Sequence, residues 1–96
     1  MRAKERQLIK TLMHLKPMKI LLELRDGPKY ASIIAKKIDC TYSHTVRLLD
    51  LFKDLGVVEF EKKGRIKIIR LTEYGNEVAK GVECLIAAIN EGKKSQ

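Results

Sequence analysis

Apolar residues recur at helical spacing from the start of the chain. Leu8, Leu12 and Leu15 step by four and three, with Lys4, Arg6 and Lys10 among them. This predicts an amphipathic N-terminal helix. Pro17 disfavours helix at the residue before it, so this helix is expected to end near Lys16 and Pro17 to open a second one. The second helix carries Ile20, Leu21 and Leu24 inward and stops at the breaker Asp26-Gly27-Pro28. A third is expected from Ala31 to Ile38, with Ile34, Ala35 and Ile38 on its apolar face. After the turn Asp39-Cys40-Thr41, a fourth is expected from Tyr42 to Leu55, capped by the Thr41 hydroxyl and ended by Gly56. Val46, Leu49, Phe52 and Leu55 form its inward stripe. So short a separation between two helices is the spacing of a helix-turn-helix.

The period then changes to two. Val58 and Phe60 alternate with Glu59 and Glu61, and Ile66 and Ile68 with Arg65 and Lys67. Lys62-Lys63-Gly64 between them predicts a hairpin turn. Two strands alone are unstable. The hairpin is therefore expected to pack on the helices through Val58, Phe60, Ile66 and Ile68, its tip projecting beside the fourth helix. Thr72 is placed to cap a last helix, with Glu73 favourable to its dipole. Val78, Val82, Leu85 and Ile89 step along that helix. Gly75 and Gly81 each cost it about 1 kcal/mol of propensity relative to Ala.

A chain of 96 residues makes one domain with a modest core. Lys and Arg total 20 against 12 acidic residues, a formal net charge of +8. That favours a polyanionic partner, nucleic acid or an anionic membrane surface. No apolar run reaches the length of a membrane span. The opening Met-Arg-Ala-Lys-Glu-Arg lacks the apolar core and cleavage site of a signal peptide, so a cytoplasmic protein is expected. Cys40 and Cys84 are too few for a disulfide scaffold and are read as packing thiols, redox sensing being the alternative. His14 and His44 fall on different elements without ligand spacing, so no metal and no cofactor are expected. No phosphate loop, nucleophile elbow or HExxH motif occurs, and no enzymatic activity is expected.

Three runs carry a resemblance. Thr41-Tyr42-Ser43-His44-Thr45-Val46-Arg47 resembles the start of a recognition helix. Leu48-Leu49 with Leu55-Gly56-Val57-Val58 resembles its end and the turn into a wing. Leu71-Thr72 with Gly75 resembles the start of the helix after the wing. From Pro17 to Lys80 the chain looks like a winged helix-turn-helix regulator, most like MarR-type and related small archaeal groups, although its wing is shorter than theirs. The resemblance implies binding of double-stranded DNA by a dimer, with the recognition helix in the major groove. The expected fold class is mainly α with a small β-hairpin (α+β): residues 1–16 an N-terminal helix, 17–71 the winged core, and 72–96 a dimerisation helix, in a single domain over 1–96.

The candidate contacts follow from which face each element leaves free. With its apolar stripe inward, the fourth helix turns Tyr42, Ser43, His44, Arg47 and Asp50 outward, and Thr41 stands at its start. Arg47 suits a bidentate contact to guanine, and Ser43 and His44 suit base edges. The alternative is a solvated polar face. Asp50 and Asp54 repel phosphate, which turns the end of this helix away from a backbone. Lys62, Lys63, Arg65 and Lys67 form a basic wing, or simply the charged tip of a soluble hairpin. Lys36 and Lys37 either hold flanking phosphates or are solvated, and Tyr30 either reaches the backbone or is structural. The stripe of Val78, Val82, Leu85 and Ile89, with Ile86 beside it, exceeds what so small a core covers, and predicts a homodimer seam. Leu8, Leu12 and Leu15 are expected to add to it, unless both terminal helices fold back on their own domain. Three functions fit: a sequence-specific transcriptional regulator, an architectural DNA-binding protein, or a winged helix used as a protein-interaction module.

Overall fold

The computed structural model describes residues 1–94. Its elements are α1 (Ala3–Leu12), α2 (Leu15–Leu24), β1 (Lys29–Tyr30), α3 (Ala31–Lys37), α4 (Tyr42–Asp54), β2 (Val58–Lys63), β3 (Ile66–Leu71) and α5 (Glu73–Lys94). The three strands form one antiparallel sheet in the order β1-β3-β2. This is the expected α+β architecture, a helix-turn-helix followed by a hairpin, with a helix added at each end. Positions 95 and 96 of the expected last helix lie outside the described residues.

The boundary between the first two helices differs from expectation. α1 stops at Leu12, not Lys16, and Pro17 lies three residues into α2 instead of opening it. The first four N–H groups of a helix have no partner within it, so a proline there removes no hydrogen bond. The first bond of α2 runs from the Met18 N–H to the His14 carbonyl.

The core is built where all elements meet. Ile20 and Leu21 of α2, Ile34 and Ile38 around α3, Leu49 and Phe52 of α4, and Val57, Val58 and Ile69 around the hairpin are almost fully buried. The inner line of α4 runs Thr45, Leu49, Phe52, and Val46 is only half-buried. Val46 sits one position round the helix, toward the hairpin. Thr45 takes the buried place because its Oγ1 donates to the Thr41 carbonyl at 2.9 Å, which leaves no polar atom unsatisfied.

α3 and α4 end in the same way. After α3 the Cys40 N–H reaches the Ala35 carbonyl and the Asp39 N–H the Lys36 carbonyl, with Asp39 left-handed at φ +56°. After α4 the Val57 N–H reaches the Phe52 carbonyl and the Gly56 N–H the Lys53 carbonyl, with Gly56 at φ +81°. Both are Schellman ends, which satisfy carbonyls that a helix otherwise leaves open. The second suits glycine; the first places a side chain in a conformation costly for most residues.

The hairpin corrects two expectations. The connection is Gly64-Arg65, with Gly64 at φ +63°, so Lys62 and Lys63 belong to β2 and are not the turn. Val58 pairs with Leu71, Phe60 with Ile69 and Lys62 with Lys67. Directly paired residues share a face, so Ile69 and Leu71 join Val58 and Phe60 against the helices. Ile66 and Ile68, expected inward, stand on the opposite face, and Ile66 is exposed. β1, which no pattern signalled, pairs Tyr30 with Ile68.

α5 begins at Thr72, whose Oγ1 accepts from the Gly75 N–H at 2.9 Å and donates to the Gly56 carbonyl at 2.7 Å. Ala79 and Val82 bury its first half. Gly75 lies so close to the chain at Val57 that a Cβ would stand 1.8 Å from the Val57 carbonyl oxygen.

Candidate nucleic-acid interface

The start of α4 is held by side-chain hydrogen bonds. The Thr41 Oγ1 accepts from the His44 N–H at 3.2 Å, capping the helix as expected. The turn before it is clamped from α2, whose Lys16 Nζ donates to the carbonyls of Ile38 at 2.8 Å and Asp39 at 2.6 Å. No spacing in the sequence signals this clamp, which fixes the angle between α3 and α4.

With Thr45, Leu49 and Phe52 inside, 3.6 residues per turn place Ser43, Arg47, Asp50 and Asp54 on one outward stripe, and all four are exposed. Tyr42 and Val46 lean toward the hairpin. There they line an open groove of about 330 Å³ with Tyr30, Ser32, Arg65 and Lys67. His44 leans the other way, into a shallower groove of about 620 Å³ with Lys10, His14, Leu15 and Leu48. The helix thus stands free between two grooves, with Arg47 on its crest.

Four ion pairs are present among the described residues, and none involves α4 or the tip of the hairpin. Arg25 pairs with Glu83 at 3.3 Å, Lys80 with Glu77 at 3.4 Å, Lys29 with Asp26 at 3.9 Å, and Arg70 with Glu61 on the outer side of the hairpin. Among the described residues, Lys36, Lys37, Arg47, Lys62, Lys63, Arg65 and Lys67 have no ion pair. Lys62 and Lys67 even face each other across the hairpin, an arrangement that like charges disfavour. Lys53, not singled out in the sequence, joins them: its Nζ and that of Lys67 lie 5.2 and 5.5 Å from the centre of the Phe60 ring. Its place one turn after Leu49, on the hairpin side, was a signal available in the spacing. The structure brings Tyr42, Ser43, His44, Arg47, Lys62, Arg65 and Lys67 to α4 and the hairpin beside it. Lys36 and Lys37 sit exposed at the end of α3, before the turn.

The expected dimer seam is rearranged by burial. Leu8 and Leu12 of α1 and Val82 of α5 are covered within their own chain, and Val78 and Ile86 are half-buried. Leu85 and Ile89 are 45% and 62% exposed. Leu15 is also exposed, but in the groove beside His44 rather than along α5. Tyr74, on the same stripe as Leu85 and Ile89, borders a cleft with Ile9 and Met1. Cys40 packs against the core as expected, whereas Cys84, also expected to be a packing thiol, is exposed on α5. Among the described residues no three His, Cys, Asp or Glu side chains come together as a metal-holding group. Nor is any helix long and apolar enough to cross a membrane.

No protein-family profile matches the sequence. An uncharacterized protein of Archaeoglobus fulgidus is 32% identical over 87 residues, covering 85% of this chain and 92% of that protein. The crystal structure of AF1382 from Archaeoglobus fulgidus superposes with a TM-score of 0.75 at 30% identity, over 84% of this chain and 94% of its own. A homodimeric winged helix-turn-helix DNA-binding domain from Mycobacterium bovis, described as a possible ArsR-family transcriptional regulator, gives 0.74 at 20% identity over 92% and 80%. The transcriptional repressor BigR from Xylella fastidiosa gives 0.73 at 23% identity over 84% and 81%. The fold here is that of the Mycobacterium bovis winged helix-turn-helix domain and of the repressor BigR. At the level of sequence, the chain belongs to the family of the Archaeoglobus fulgidus protein to which it is 32% identical over 85% of its length.

Proposed function

We propose that this protein is a double-stranded DNA-binding transcriptional regulator. It presents α4 to the major groove and the β2–β3 hairpin, as a wing, to the flanking backbone. The observation that carries this reading is a cluster of cations without acidic partners. Among the described residues, Arg47 and Lys53 of α4, Lys62, Lys63, Arg65 and Lys67 of the wing, and Lys36 and Lys37 at the end of α3 form no ion pair, and of the wing cations only Arg70, on its outer side, does. Unpaired cations on one face release counterions when they meet phosphate, which favours binding to a polyanion. Ser43, His44 and Arg47 then read base edges, with Thr41 and Tyr42 at the entrance. Lys36, Lys37, Lys62, Lys63, Arg65 and Lys67 hold phosphates.

The chain acts as a homodimer, joined along Leu85, Ile86 and Ile89 with Tyr74 and Val78 beside them. Leu8, Leu12 and Val82 support that face from within. Residues 17–71 form the DNA-reading unit and the terminal helices the assembly unit of one domain. It works in the cytoplasm without cofactor or catalysis. The finer likeness to MarR-type regulators rests on the runs at 41–47, 55–58 and 71–75, and the two-fold partner carries the second recognition helix about one DNA turn away.

Titration of labelled duplexes at several salt concentrations, with scrambled competitor, tests the reading. A regulator binds one sequence preferentially, with affinity falling steeply as salt rises. Equal affinity for every sequence supports the architectural alternative. Absence of binding at low salt refutes the DNA reading and leaves the interaction module.

A further inference from the structure

The outward stripe of α4 carries two acids, Asp50 and Asp54, and Asp50 is the one that shares a groove with cations. Asp50 is exposed, one turn beyond Arg47, in the groove that Arg65 and Lys67 also line. Three cations are thus near it, and among the described residues it bonds none of them. A free carboxylate on the crest of a face that meets a polyanion lowers affinity for every sequence. The cost is removed only where the groove offers a donor. In the major groove the base edges offer amino groups, and the carboxylate of Asp or Glu characteristically accepts from N4 of cytosine.

Position along the helix selects the base pair. Three residues advance an α-helix by about 4.5 Å, and successive base pairs are about 3.4 Å apart. Arg47 and Asp50 therefore address neighbouring pairs. We infer, building on the proposed function, that Asp50 reads the N4 amino group of a cytosine adjacent to the guanine taken by Arg47. Each half-site then contains two adjacent G·C pairs. Where the second pair is A·T read from the thymine side, the carboxylate faces the carbonyl O4 and has no donor. Repulsion then rejects the site, which is how an unpaired charge confers specificity. The Asp50 side chain thus acts chiefly against wrong sequences, and the Arg47 side chain for the right one.

Selection of bound duplexes from a random pool tests this with the wild-type chain, Asp50→Ala and Asp50→Asn. Asp50 is exposed and bonds nothing in the fold, so both variants fold. The wild type is expected to select a G·C pair at two neighbouring positions. Asp50→Ala is expected to bind non-specific DNA more tightly. It also loses about ten-fold of its preference at one position only, next to the position that Arg47→Ala relaxes. Asp50→Asn is expected to move that position toward adenine, which offers both a donor and an acceptor to an amide. If Asp50→Ala tightens every sequence by the same factor and selects the wild-type site, Asp50 merely repels and the inference is overturned alone. If the wild type binds DNA but selects no site, or binds none, the inference falls together with the proposed function, and the two failures are told apart by the wild-type titration.

Discussion

Replacing Gly75 with alanine adds one methyl group, and the structure gives that methyl no room. Its ideal position is 1.8 Å from the Val57 carbonyl oxygen and 2.8 Å from the carbonyl carbon. Carbon and carbonyl oxygen pack no closer than about 3.3 Å, so the start of α5 must retreat by about 1.5 Å. Three hydrogen bonds oppose that retreat: Thr72 N–H to the Val57 carbonyl at 3.1 Å, Thr72 Oγ1 to the Gly56 carbonyl at 2.7 Å, and Gly75 N–H to Thr72 Oγ1 at 2.9 Å. Forced repacking costs about 1–3 kcal/mol, and each hydrogen bond lost about 1 kcal/mol more. Alanine's better helix propensity returns about 1 kcal/mol. With the two Thr72 bonds to Val57 and Gly56 lost, the expected net loss is about 2–4 kcal/mol, or roughly 10–30 °C in Tm for a domain of this size. Gly81, in the same helix, is the internal control. It is exposed and nothing lies within 4 Å of its added Cβ. Gly81→Ala therefore keeps the propensity gain, up to about 1 kcal/mol. Thermal melts at one fixed chain concentration, since assembly shifts Tm, compare the two. A Gly75→Ala protein as stable as the wild type, or more so, refutes the reasoning and makes both glycines simple propensity defects.

Further outcomes follow from other contacts. Arg47→Ala is expected to lose about 1–3 kcal/mol at a preferred site and to relax one base position, while Lys63→Ala weakens all duplexes alike; competition binding separates them, and equal weakening by Arg47→Ala reassigns it to the backbone. Leu85→Glu with Ile89→Glu is expected to convert a micromolar dimer into a folded monomer in sedimentation, since both side chains are exposed in the single chain. A wild-type monomer refutes the seam. Lys16→Met removes both bonds that hold the turn after α3 and is expected to lower the denaturant-derived stability by about 1–3 kcal/mol; an unchanged midpoint shows the clamp to be dispensable. Asp39→Gly relieves a left-handed side chain and is expected to gain up to about 1 kcal/mol, read in the same unfolding curves.

The helices were legible because their burial follows a single period. Ile20, Leu21 and Leu24, then Ile34, Ala35 and Ile38, are buried as their spacing predicted. The hairpin was legible as an element but not in its facing. Ile66-Lys67-Ile68-Ile69-Arg70-Leu71 is apolar in both alternating frames, and only pairing with Val58 and Phe60 decides that Ile69 and Leu71 point inward. Two residues of β1 are too short to carry a pattern. In the candidate site, Ser43 and Arg47 could be placed from periodicity alone, whereas Lys62 and Lys63 were expected in the turn and lie in β2. The Lys16 clamp and the approach of Gly75 to Val57 could not, because each joins segments far apart in sequence. The long terminal stripe was visible, but how much of it the chain itself covers depends on where α1 and α2 pack.

The opposition of Lys62 and Lys67 makes the wing respond to ions twice, in contrary directions. Residues paired across a hairpin hold their Cβ atoms about 5 Å apart, within the Debye length of about 10 Å at 0.1 M salt. Added salt shields that repulsion, so the free hairpin tightens as ionic strength rises. Bound phosphate does the same work locally, while salt in bulk competes for the phosphate and loosens the complex. Amide exchange at the tip is therefore slowed by salt in the free protein and quickened by it in the proposed complex. The wing is expected to be loosest in dilute buffer with no polyanion present, and in the proposed complex the DNA backbone serves as the counterion that offsets this repulsion.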